Sequence, residues 1–294
     1  MRFALPEREA PASLPPDMRD ALAASRADRG AFGEPLYFYA SLGSTNDAAA
    51  RLAEAGASEG TTVVANEQTS GRGRSGRAWF SAPGAGLYVS VVIRPGGATS
   101  APGGHFRKMG SDPNLQNLPT GMAVLTLAAA VALATAVRDA TGLQAQIKWP
   151  NDLLCGRRKL AGILAEASTR GAGLDAIVLG FGINVRTVGY PPDLADRATS
   201  IEAELGRPVD RGLVFALALA RLAAAREALG RGETAAVLEQ WRRLAPSSVG
   251  RAVSWQGLAG ERRGTTAGID ADGALLVDAG GVRERIIAGD VIWR

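Results

Sequence analysis

The sequence of 294 residues contains very little cysteine, histidine and lysine. One cysteine, Cys155, excludes an internal disulfide, and one histidine, His105, leaves too few ligands for a metal site of the Cys/His type. Lysine occurs only at positions 108, 148 and 159, so 30 of the 33 basic side chains are arginine. A chain that uses arginine almost everywhere, yet keeps Lys148 and Lys159 within twelve residues of each other, indicates that these two lysines do something arginine does not.

Long hydrophobic segments are also missing. The longest uncharged apolar run, residues 122–137, is shorter than the ~18 residues that a membrane span requires, and it predicts a buried helix. Charge and proline follow the first methionine closely, which is not the pattern of a secretory signal. Together with the single cysteine, this predicts a cytoplasmic protein that does not enter a membrane. A net charge of +4 is small for this length and argues only weakly for nucleic-acid binding.

Composition divides the chain into three predicted parts. Residues 1–35 form a proline-rich N-terminal arm with room for one short helix, at 17–27. Residues 36–244 alternate strand and helix patterns and predict an α/β domain, interrupted by a glycine-, proline- and serine-rich insert at 95–121. Residues 245–294 alternate as strands do, with turn signals at Asp272-Gly273 and Gly280-Gly281, which predicts a small β-barrel.

The larger predicted domain has a regular succession of elements. Strands are predicted at 37–41, 61–65, 87–94, 144–148, 158–166 and 175–181, and helices at 45–55, 122–141, 209–229 and 234–244. The last two strands bracket a glycine-rich turn at 171–173. This alternation favours one α/β unit with a single core.

A loop rich in glycine and arginine lies between two predicted strands. It reads Gly71-Arg72-Gly73-Arg74-Ser75-Gly76-Arg77 and is followed by Trp79. Glycine lets the backbone approach a ligand closely, and arginine offers a fixed fork of donors to carboxylate or phosphate. The pattern is typical of a loop that closes over an anionic ligand, with Trp79 as a stacking surface. The alternative is a disordered arginine–glycine tract for single-stranded RNA, although such tracts are usually repeated and this one is not.

A second polar cluster follows a predicted strand. It reads Lys148-Trp149-Pro150-Asn151-Asp152, and Arg157-Arg158-Lys159-Leu160-Ala161-Gly162 comes shortly after. Pro150 stops the strand, so Asn151 and Asp152 are predicted where a loop opens at the strand end, a common place for functional groups. The alternative for an isolated Asn-Asp pair is an ordinary turn. The presence of both scarce lysines in this cluster favours a functional role.

Two further patterns are weaker when taken alone. Ser44-Thr45-Asn46, at the start of a predicted helix, is either a set of ligand-binding groups or an N-cap. Gly180-Phe181-Gly182-Ile183-Asn184 follows a strand, but it lacks the third glycine and the helix of a dinucleotide fingerprint. The sequence also has no Walker A loop.

In their order and spacing, these motifs resemble those of one family, the biotin–protein ligases, or biotin–[acetyl-CoA-carboxylase] ligases. The resemblance covers residues 36–294 and rests on five elements: Ser-Thr-Asn, Gln68 leading into the arginine–glycine loop, Lys-Trp-Pro-Asn-Asp, Arg-Lys-Leu-Ala-Gly-Ile, and Gly-x-Gly-x-Asn. It implies an α/β (α+β) fold with a mixed sheet and flanking helices, like that of class II aminoacyl-tRNA synthetases. A small C-terminal SH3-like β-barrel is also implied.

The resemblance implies an enzyme that activates biotin with ATP and Mg²⁺ to biotinyl-5'-AMP. It would then transfer biotin to one lysine of a biotin carboxyl carrier domain of acetyl-CoA carboxylase or a related carboxylase. By resemblance, biotin is expected to bind to Ser44, Thr45, Asn46, Gln68, Gly71, Arg72, Gly73, Arg74 and Lys159. ATP is expected to bind to Arg74, Arg77, Trp79, Lys148, Asn151, Asp152 and Asn184. The expected catalytic residues are Lys159, Arg72 and Asp152, with Asp152 also the expected magnesium ligand.

Some members of the family carry an N-terminal DNA-binding domain and repress transcription. About 35 residues precede the region of resemblance, too few for that domain, so no repressor role and no nucleic-acid partner are expected. Family members occur as monomers and as homodimers, and the sequence leaves both open. A lipoate–protein ligase would share the core, but the intact arginine–glycine loop and the predicted barrel favour biotin.

Overall fold

The computed structural model describes residues 11–95, 105–107, 120–170, 173–257, 260–287 and 289–294. Most of the insert predicted at 95–121, including Lys108, lies outside the described residues. Within that insert, His105–Arg107 forms a short strand, and a helix begins at Thr120.

The helices and strands follow the predicted succession. The helices are α1 (Pro16–Ala24), α2 (Arg26–Arg29), α3 (Thr45–Glu54), α4 (Thr120–Thr141), α5 (Pro192–Ala195), α6 (Ile201–Leu205), α7 (Arg211–Gly230) and α8 (Thr234–Leu244). The strands are β1 (Leu36–Tyr39), β2 (Thr62–Ala65), β3 (Gly86–Ile93), β4 (His105–Arg107), β5 (Gln146–Lys148), β6 (Asp152–Cys155), β7 (Arg158–Arg170), β8 (Gly173–Asn184), β9 (Val249–Gly257), β10 (Gly260–Ile269), β11 (Leu275–Ala279), β12 (Val282–Ile286) and β13 (Val291–Trp293). Every predicted helix and strand of the larger domain is present, with ends displaced by a few residues, whereas β4, β6, α5 and α6 were not predicted.

The large sheet has the order β1-β2-β3-β8-β7-β6-β5, with β4 paired to the C-terminal part of β7. The pair β1–β2 is parallel, and the other neighbours are antiparallel. Strand β3 lies near the middle and is buried along its whole length, because protein covers both faces of the sheet there. The predicted mixed sheet with flanking helices is therefore confirmed.

Helices α4 and α7 cover one face of this sheet and form the main core with it. Val89 and Val91 of β3, Leu133 of α4 and Phe215 of α7 are buried in one cluster. Since side chains alternate along a strand, Val92 points to the opposite face, where α3 packs in a second, smaller cluster. That second face carries the candidate site.

Helix α4 is, within the described part of the chain, the one helix long and apolar enough to cross a membrane. In the structure 72% of its most apolar stretch is buried inside the protein, against the sheet, α7 and α8. The prediction of a buried helix from the apolar run at 122–137 is therefore confirmed.

The segment before β1 packs on the larger domain. Helix α1 lies against the start of α7 at Gly212, where a Cβ would come within 2.3 Å of the carbonyl oxygen of Asp17. Met18 and Leu22 of α1 are buried in the main core. The proline content of residues 1–35 predicted an arm with one short helix; the helix is present, and its apolar face attaches it to the domain.

The C-terminal strands β9–β13 form a separate antiparallel sheet in the order β12-β11-β10-β9-β13. Both predicted hairpins are present, and the glycines at their turns, Gly273, Gly280 and Gly281, have the positive φ angles that favour glycine. The first hairpin touches the larger domain, since the indole N–H of Trp149 donates to the carbonyl oxygen of Gly273 at 3.0 Å. This contact fixes the small sheet beside the candidate site.

Replacing Met18 with alanine is expected to destabilise the protein by about 2–5 kcal/mol, because a core side chain that is 1% exposed leaves a cavity behind. Arg19→Ala, one residue away and exposed, is the matched control and should change stability by less than about 0.5 kcal/mol. Equilibrium urea unfolding of the full chain measures both variants. Equal unfolding midpoints would show that α1 is not part of the core.

Candidate active site

A cavity of about 340 Å³ lies on the sheet face that carries α3. The sequence-predicted residues that line it are Ser44, Thr45, Asn46, Gln68, Arg72, Gly73, Arg74, Arg77, Trp79, Lys148, Asn151, Asp152, Lys159 and Asn184. Gly71 does not line it, but a Cβ there would lie 2.6 Å from the backbone oxygen of Trp79, so glycine lets the two ends of the loop meet. Residues up to 140 positions apart in the sequence thus surround one space.

Strand register aligns one side of the cavity. Gly182 of β8 pairs with Gly162 of β7, Gly162 with Asp152 of β6, and Asp152 with Lys148 of β5. Asp152 is the first residue of β6, and Asn151 lies in the turn between β5 and β6. The prediction that a loop opens here was wrong, because the chain reverses at once into a further strand. The reversal holds Asn151 and Asp152 at the cavity wall.

Glycines on β7 and β8 allow two side chains to lie directly against the sheet. A Cβ on Gly182 would come within 2.5 Å of the Trp79 ring, and one on Gly162 within 2.9 Å of it. A Cβ on Gly180 would come within 2.0 Å of Asn46 Oδ1. The Gly-x-Gly pattern therefore has a packing explanation: it provides the surface on which Trp79 and Asn46 rest.

The start of α3 presents polar groups to the cavity. Ser44 is the N-cap residue, but its side chain makes no capping hydrogen bond. The Gln68 carbonyl oxygen takes that role by accepting from the Thr45 backbone N–H at 2.9 Å, and it lies 3.1 Å from the Thr45 hydroxyl. The Gln68 amide in turn donates to Ser81 at 3.1 Å. N-capping therefore does not explain Ser44, whose hydroxyl lines the cavity.

Asn46 connects the start of α3 to two residues that the sequence analysis missed. Its amide nitrogen donates to the Glu166 carboxylate at 2.7 Å, and its oxygen accepts from the Ser90 hydroxyl at 2.6 Å. Ser90 also lies 2.8 Å from the Thr45 hydroxyl oxygen. Ser90 interrupts the apolar run 87–93 in β3, and Glu166 interrupts the apolar run 160–167 in β7. That interruption is the signal in the sequence by which the two residues could have been found.

The guanidinium of Arg72 is held by two carboxylates. It donates to both oxygens of Glu166, at 2.9 and 2.8 Å, and to Asp47 Oδ1 at 2.8 Å. The sequence-based expectation was a side chain that contacts the ligand and takes part in catalysis. Arg72 lines the cavity, and its contacts also tie the start of the arginine–glycine loop to the sheet and to α3; its role in catalysis stays a prediction.

The loop itself folds as a small hairpin. The backbone N–H of Gly73 donates to the Arg77 oxygen at 2.7 Å, and that of Trp79 donates to the Gly71 oxygen at 2.9 Å. Ser75, at the tip, has a φ of 55°, the left-handed conformation that a tight reversal requires. These contacts hold the loop beside the cavity.

Two arginines of the loop reach the C-terminal sheet. Arg74 donates to Asn151 Oδ1 at 3.2 Å and to the carbonyl oxygen of Gly289 at 3.3 Å. Arg77 pairs with the Asp290 carboxylate at 2.6 Å. Burial lowers the pKa of the Arg74 guanidinium, and the carboxylate of Asp290 opposes that change. The two domains thus meet at the arginine–glycine loop.

The Lys159 side chain lies over Gly162, where a Cβ would come within 3.0 Å of its Nζ. Its Nζ lies 2.7 Å from Asp152 Oδ1 and 5.2 Å from the centre of the Trp79 ring. The indole N–H of Trp79 is buried and has no hydrogen-bond partner among the described residues. The Lys159 ammonium can donate to an anionic oxygen of a ligand in the cavity.

Lys148 lies in the same cationic region. Burial lowers the pKa of its ammonium, Asp152 opposes this, and Lys159, Arg77 and Arg197 lower it further. Asp152 is the one acidic residue among the described residues that line the cavity. The cationic lining residues are Arg72, Arg74, Arg77, Lys148, Arg157, Lys159 and Arg197. Of these, Arg157 was singled out only as part of the second polar cluster, and Arg197 was not singled out at all. Such an excess of positive charge attracts a polyanion.

The segment after β8 is fixed beside Lys159. The Asn184 side-chain amide donates to the carbonyl oxygen of Thr199 at 2.9 Å. The Lys159 backbone N–H donates to the Arg197 oxygen at 2.7 Å, and the Thr199 N–H donates to the Lys159 oxygen at 2.9 Å. Asn184 lines the cavity as expected, and its amide also determines where Arg197 stands.

Comparison with known proteins identifies the family. The biotin/lipoate A/B protein ligase family matches residues 38–184, and the biotin protein ligase C-terminal domain matches residues 249–294. The bifunctional ligase/repressor BirA of Bacillus subtilis is 34% identical over 262 residues, which cover 88% of this chain and 74% of that protein. The chain belongs to the biotin protein ligase family.

Other biotin protein ligases match over nearly their full length. The biotin–[acetyl-CoA-carboxylase] ligase of Paracoccus denitrificans is 33% identical over 259 residues, covering 85% of this chain and 97% of the relative. Among solved structures, the biotin protein ligase of Aquifex aeolicus in complex with biotin and ATP is similar, with a TM-score of 0.70 and 27% identity. That match covers 88% of this chain and 98% of the Aquifex chain. The enzyme is thus a ligase of known fold.

The packing of the Trp79 ring on Gly182 can be tested by adding one methyl group at that glycine. Gly182→Ala is expected to displace the Trp79 ring and reduce biotin protein ligase activity by about 100-fold, since misplacement by about 1 Å at a reacting centre costs that much. Gly189→Ala is the matched control, because a Cβ there meets nothing within 4 Å. Steady-state rates and circular dichroism of both variants provide the measurement. Full activity in a folded Gly182→Ala enzyme would show that Trp79 does not need this surface.

Proposed function

We propose that this biotin protein ligase joins biotin and ATP into biotinyl-5'-AMP and then transfers the biotinyl group to one lysine of a biotin carboxyl carrier domain. The observation that carries the proposal is the division of the cavity into two ends. At the start of α3, uncharged hydroxyl and amide groups are hydrogen-bonded to one another, whereas the cations Lys148 and Lys159 meet at Asp152, where β5, β6 and β7 pair. Biotin is divided in the same way, with a neutral ureido ring and a carboxylate, and ATP adds a triphosphate.

The neutral end suits the ureido ring. Ser44, Thr45, Asn46 and Gln68 meet there, connected through Ser90 and Ser81. Hydroxyl oxygens and amides can accept from the two ureido N–H groups and donate to the ureido oxygen. The backbone of residues 71–74 would close over the ring, and the apolar chain of biotin would lie along Trp79.

The cationic end suits the first chemical step. A carboxylate oxygen of biotin attacks the α-phosphorus of ATP, the bond to the β-phosphate oxygen breaks, and pyrophosphate leaves. The two reactants repel each other, so a cation between them lowers the barrier. We propose that Lys159, whose Nζ lies 2.7 Å from Asp152 Oδ1 in the cavity wall, is that cation. Arg74, Arg77, Lys148, Asn151 and Asn184 are proposed to hold the nucleotide.

In the second step the lysine amine of the carrier attacks the carbonyl carbon of biotinyl-5'-AMP, and AMP leaves. The amine must lose a proton to act as a nucleophile. Asp152, 2.7 Å from the Lys159 ammonium, is the acid residue that lines the cavity. We propose that it orients the incoming amine and accepts its proton. The arginine–glycine loop would keep water away from the adenylate meanwhile.

Magnesium fits the site as part of the nucleotide. The described residues contain no group of three or more His, Cys, Asp or Glu side chains arranged for a metal. Mg²⁺ is, however, commonly held by one or two carboxylates together with substrate phosphates and water, and Asp152 can supply that carboxylate. The ion would neutralise phosphate charge during adenylation.

The proposed partner is the carrier domain of a biotin-dependent carboxylase. The names of the Paracoccus relative and of a Mycobacterium tuberculosis relative, both biotin–[acetyl-CoA-carboxylase] ligases, support acetyl-CoA carboxylase. We propose ligase activity alone, in the cytoplasm. The Bacillus relative is named as both ligase and repressor.

Isotope exchange between ATP and pyrophosphate tests the first step and the choice of acid together. Biotin should support exchange, and lipoate should support little or none. Lys159→Ala is expected to abolish biotin-dependent exchange while the protein stays folded, because the cation between the two anions is lost. Exchange that is faster with lipoate would favour a lipoate ligase, and exchange that Lys159→Ala leaves intact would refute the role of Lys159.

The pH dependence of ATP binding tests the cationic end. Because burial and the cations Lys159, Arg77 and Arg197 lower the pKa of Lys148, this lysine loses its proton at a lower pH than an exposed one, despite Asp152. Bound phosphate stabilises the protonated form, so the affinity for ATP should be highest below that pKa and fall as the pH rises through it. KM for ATP, measured from neutral to alkaline pH, should therefore increase.

Lys148→Arg is the control for this titration, since arginine keeps its charge throughout the range. Its KM for ATP should stay level at the pH where that of the wild-type enzyme increases. An unchanged alkaline increase in Lys148→Arg would assign the titration to another group.

A further inference from the structure

The Glu166 carboxylate is buried next to the proposed biotin site, on the same sheet face. Glu166 is 4% exposed and lies on β7, among apolar neighbours. Placing a carboxylate in such a position costs free energy unless charges and hydrogen bonds compensate. Nothing in the proposed chemistry uses Glu166 directly, so its presence needs another explanation.

We infer that Glu166 is a positioning residue that sets the direction of the hydrogen bonds in the ureido-binding end of the cavity. The inference rests on the proposed function, because it concerns how biotin is recognised. Three contacts carry it: the two-point pair with Arg72, the contact of the same arginine with Asp47, and the hydrogen bond from Asn46.

Glu166 fixes the orientation of the Asn46 side-chain amide. A carboxylate paired with a guanidinium only accepts hydrogen bonds, so Asn46 must turn its NH₂ group toward Glu166, at 2.7 Å. Its oxygen must then face Ser90 at 2.6 Å, and the Ser90 hydroxyl has to donate to it. The Leu164 carbonyl oxygen, 3.4 Å from the Asn46 amide nitrogen, favours this orientation too, but the Glu166 carboxylate is the much closer acceptor and carries the charge. Glu166 thus selects one of two orientations.

The hydrogen-bonded network continues from Asn46 through Ser90 to Thr45, which lines the cavity. The Ser90 hydroxyl oxygen also lies 2.8 Å from the Thr45 hydroxyl oxygen, so Asn46, Ser90 and Thr45 are in contact. The Thr45 hydroxyl donates to the side-chain oxygen of Gln68 at 3.1 Å, and this oxygen also accepts from the Thr45 backbone N–H at 2.9 Å. With its proton used inside the network, the Thr45 hydroxyl oxygen can only accept from a ligand in the cavity that Thr45 lines. An acceptor at this point matches the N–H groups of the ureido ring.

Glu166 also holds the start of the arginine–glycine loop. The same carboxylate binds both terminal nitrogens of Arg72, which stands 94 positions away in the sequence. A two-point pair fixes both distance and angle. Glu166 therefore joins the ureido-binding network to the start of the arginine–glycine loop, so that the acceptor groups and the backbone that covers them are placed by one residue.

Glu166→Gln tests the inference, because glutamine keeps the shape but can donate as well as accept. The KM for biotin in the ATP–pyrophosphate exchange should rise by roughly tenfold to a hundredfold, the effect of misdirected hydrogen bonds in a buried site. The KM for ATP should stay within about twofold, because Arg74 and Arg77 keep their own partners, Asn151, Gly289 and Asp290, in the variant. A merely structural role would not divide the two KM values in this way.

Two control variants separate the contributions. Asp175→Asn breaks a buried ion pair with Arg94 in the same sheet but outside the cavity, and it should lower stability without changing the KM for biotin. Asp47→Asn weakens the anchoring of Arg72 while Glu166 keeps its charge, so it should affect the KM for biotin less than Glu166→Gln does.

The outcomes that would overturn the inference are distinct from those that would overturn the proposed function. A wild-type enzyme without biotin-dependent exchange would contradict the proposed function. An active Glu166→Gln enzyme with an unchanged KM for biotin, or with both KM values raised alike, would contradict the inference alone. If Glu166→Gln does not fold, Ser90→Ala removes the relaying hydroxyl and keeps the Arg72 pair. It must then raise the KM for biotin alone, and an unchanged value would again overturn the inference.

Discussion

The close approach of two side chains to the glycines of β7 and β8 is the constraint on which the site depends. Trp79 rests on Gly182 and Gly162, and Asn46 rests on Gly180, at distances that no Cβ would allow. The sheet register brings Asp152 and Lys148 into line with the same glycines, and Lys159 reaches over them. A larger residue at Gly162, Gly180 or Gly182 would place its side chain in the space that Trp79 and Asn46 occupy.

Charge is distributed unevenly above that surface. Of the arginines, Arg72 is neutralised by Glu166 and Asp47, which leaves it an anchor, whereas Arg74 and Arg77 bind to the turn of β5–β6 and to the C-terminal sheet. The remaining cations surround Asp152, which compensates only part of their charge. The cavity is therefore prepared for two anions at one end and for a neutral polar group at the other. Because the loop touches the small sheet, both domains contribute to this arrangement.

Much of the fold and of the candidate site could be predicted from the sequence. The spacing of apolar residues predicted the helices and strands, since burial imposes that spacing directly. Every site residue predicted from the order of the motifs, except Gly71, lines the cavity. Strand β6 was missed because the four residues 152–155 carry too short a pattern, and Pro150 suggested an end where the chain makes a turn. The sequence alone could not show that Arg72 is held by Glu166, because the partners are 94 positions apart.

The role of the Gly-x-Gly pattern also could not be predicted from the sequence alone. As a motif it is weak, because glycine in a strand has several causes. Its cause here, the side chains of Trp79 and Asn46, becomes visible only when the loop and α3 are folded over the sheet.

The central claim is that one cavity first activates biotin and then delivers it to a lysine of a carrier. The most direct measurement is the intact mass of a biotin carboxyl carrier domain after incubation with the enzyme, biotin and ATP. The predicted result is the addition of one biotinyl group to one lysine, with one AMP and one pyrophosphate formed for each biotin attached. A carrier whose mass does not change while ATP is consumed, or a reaction that releases ADP, would contradict it.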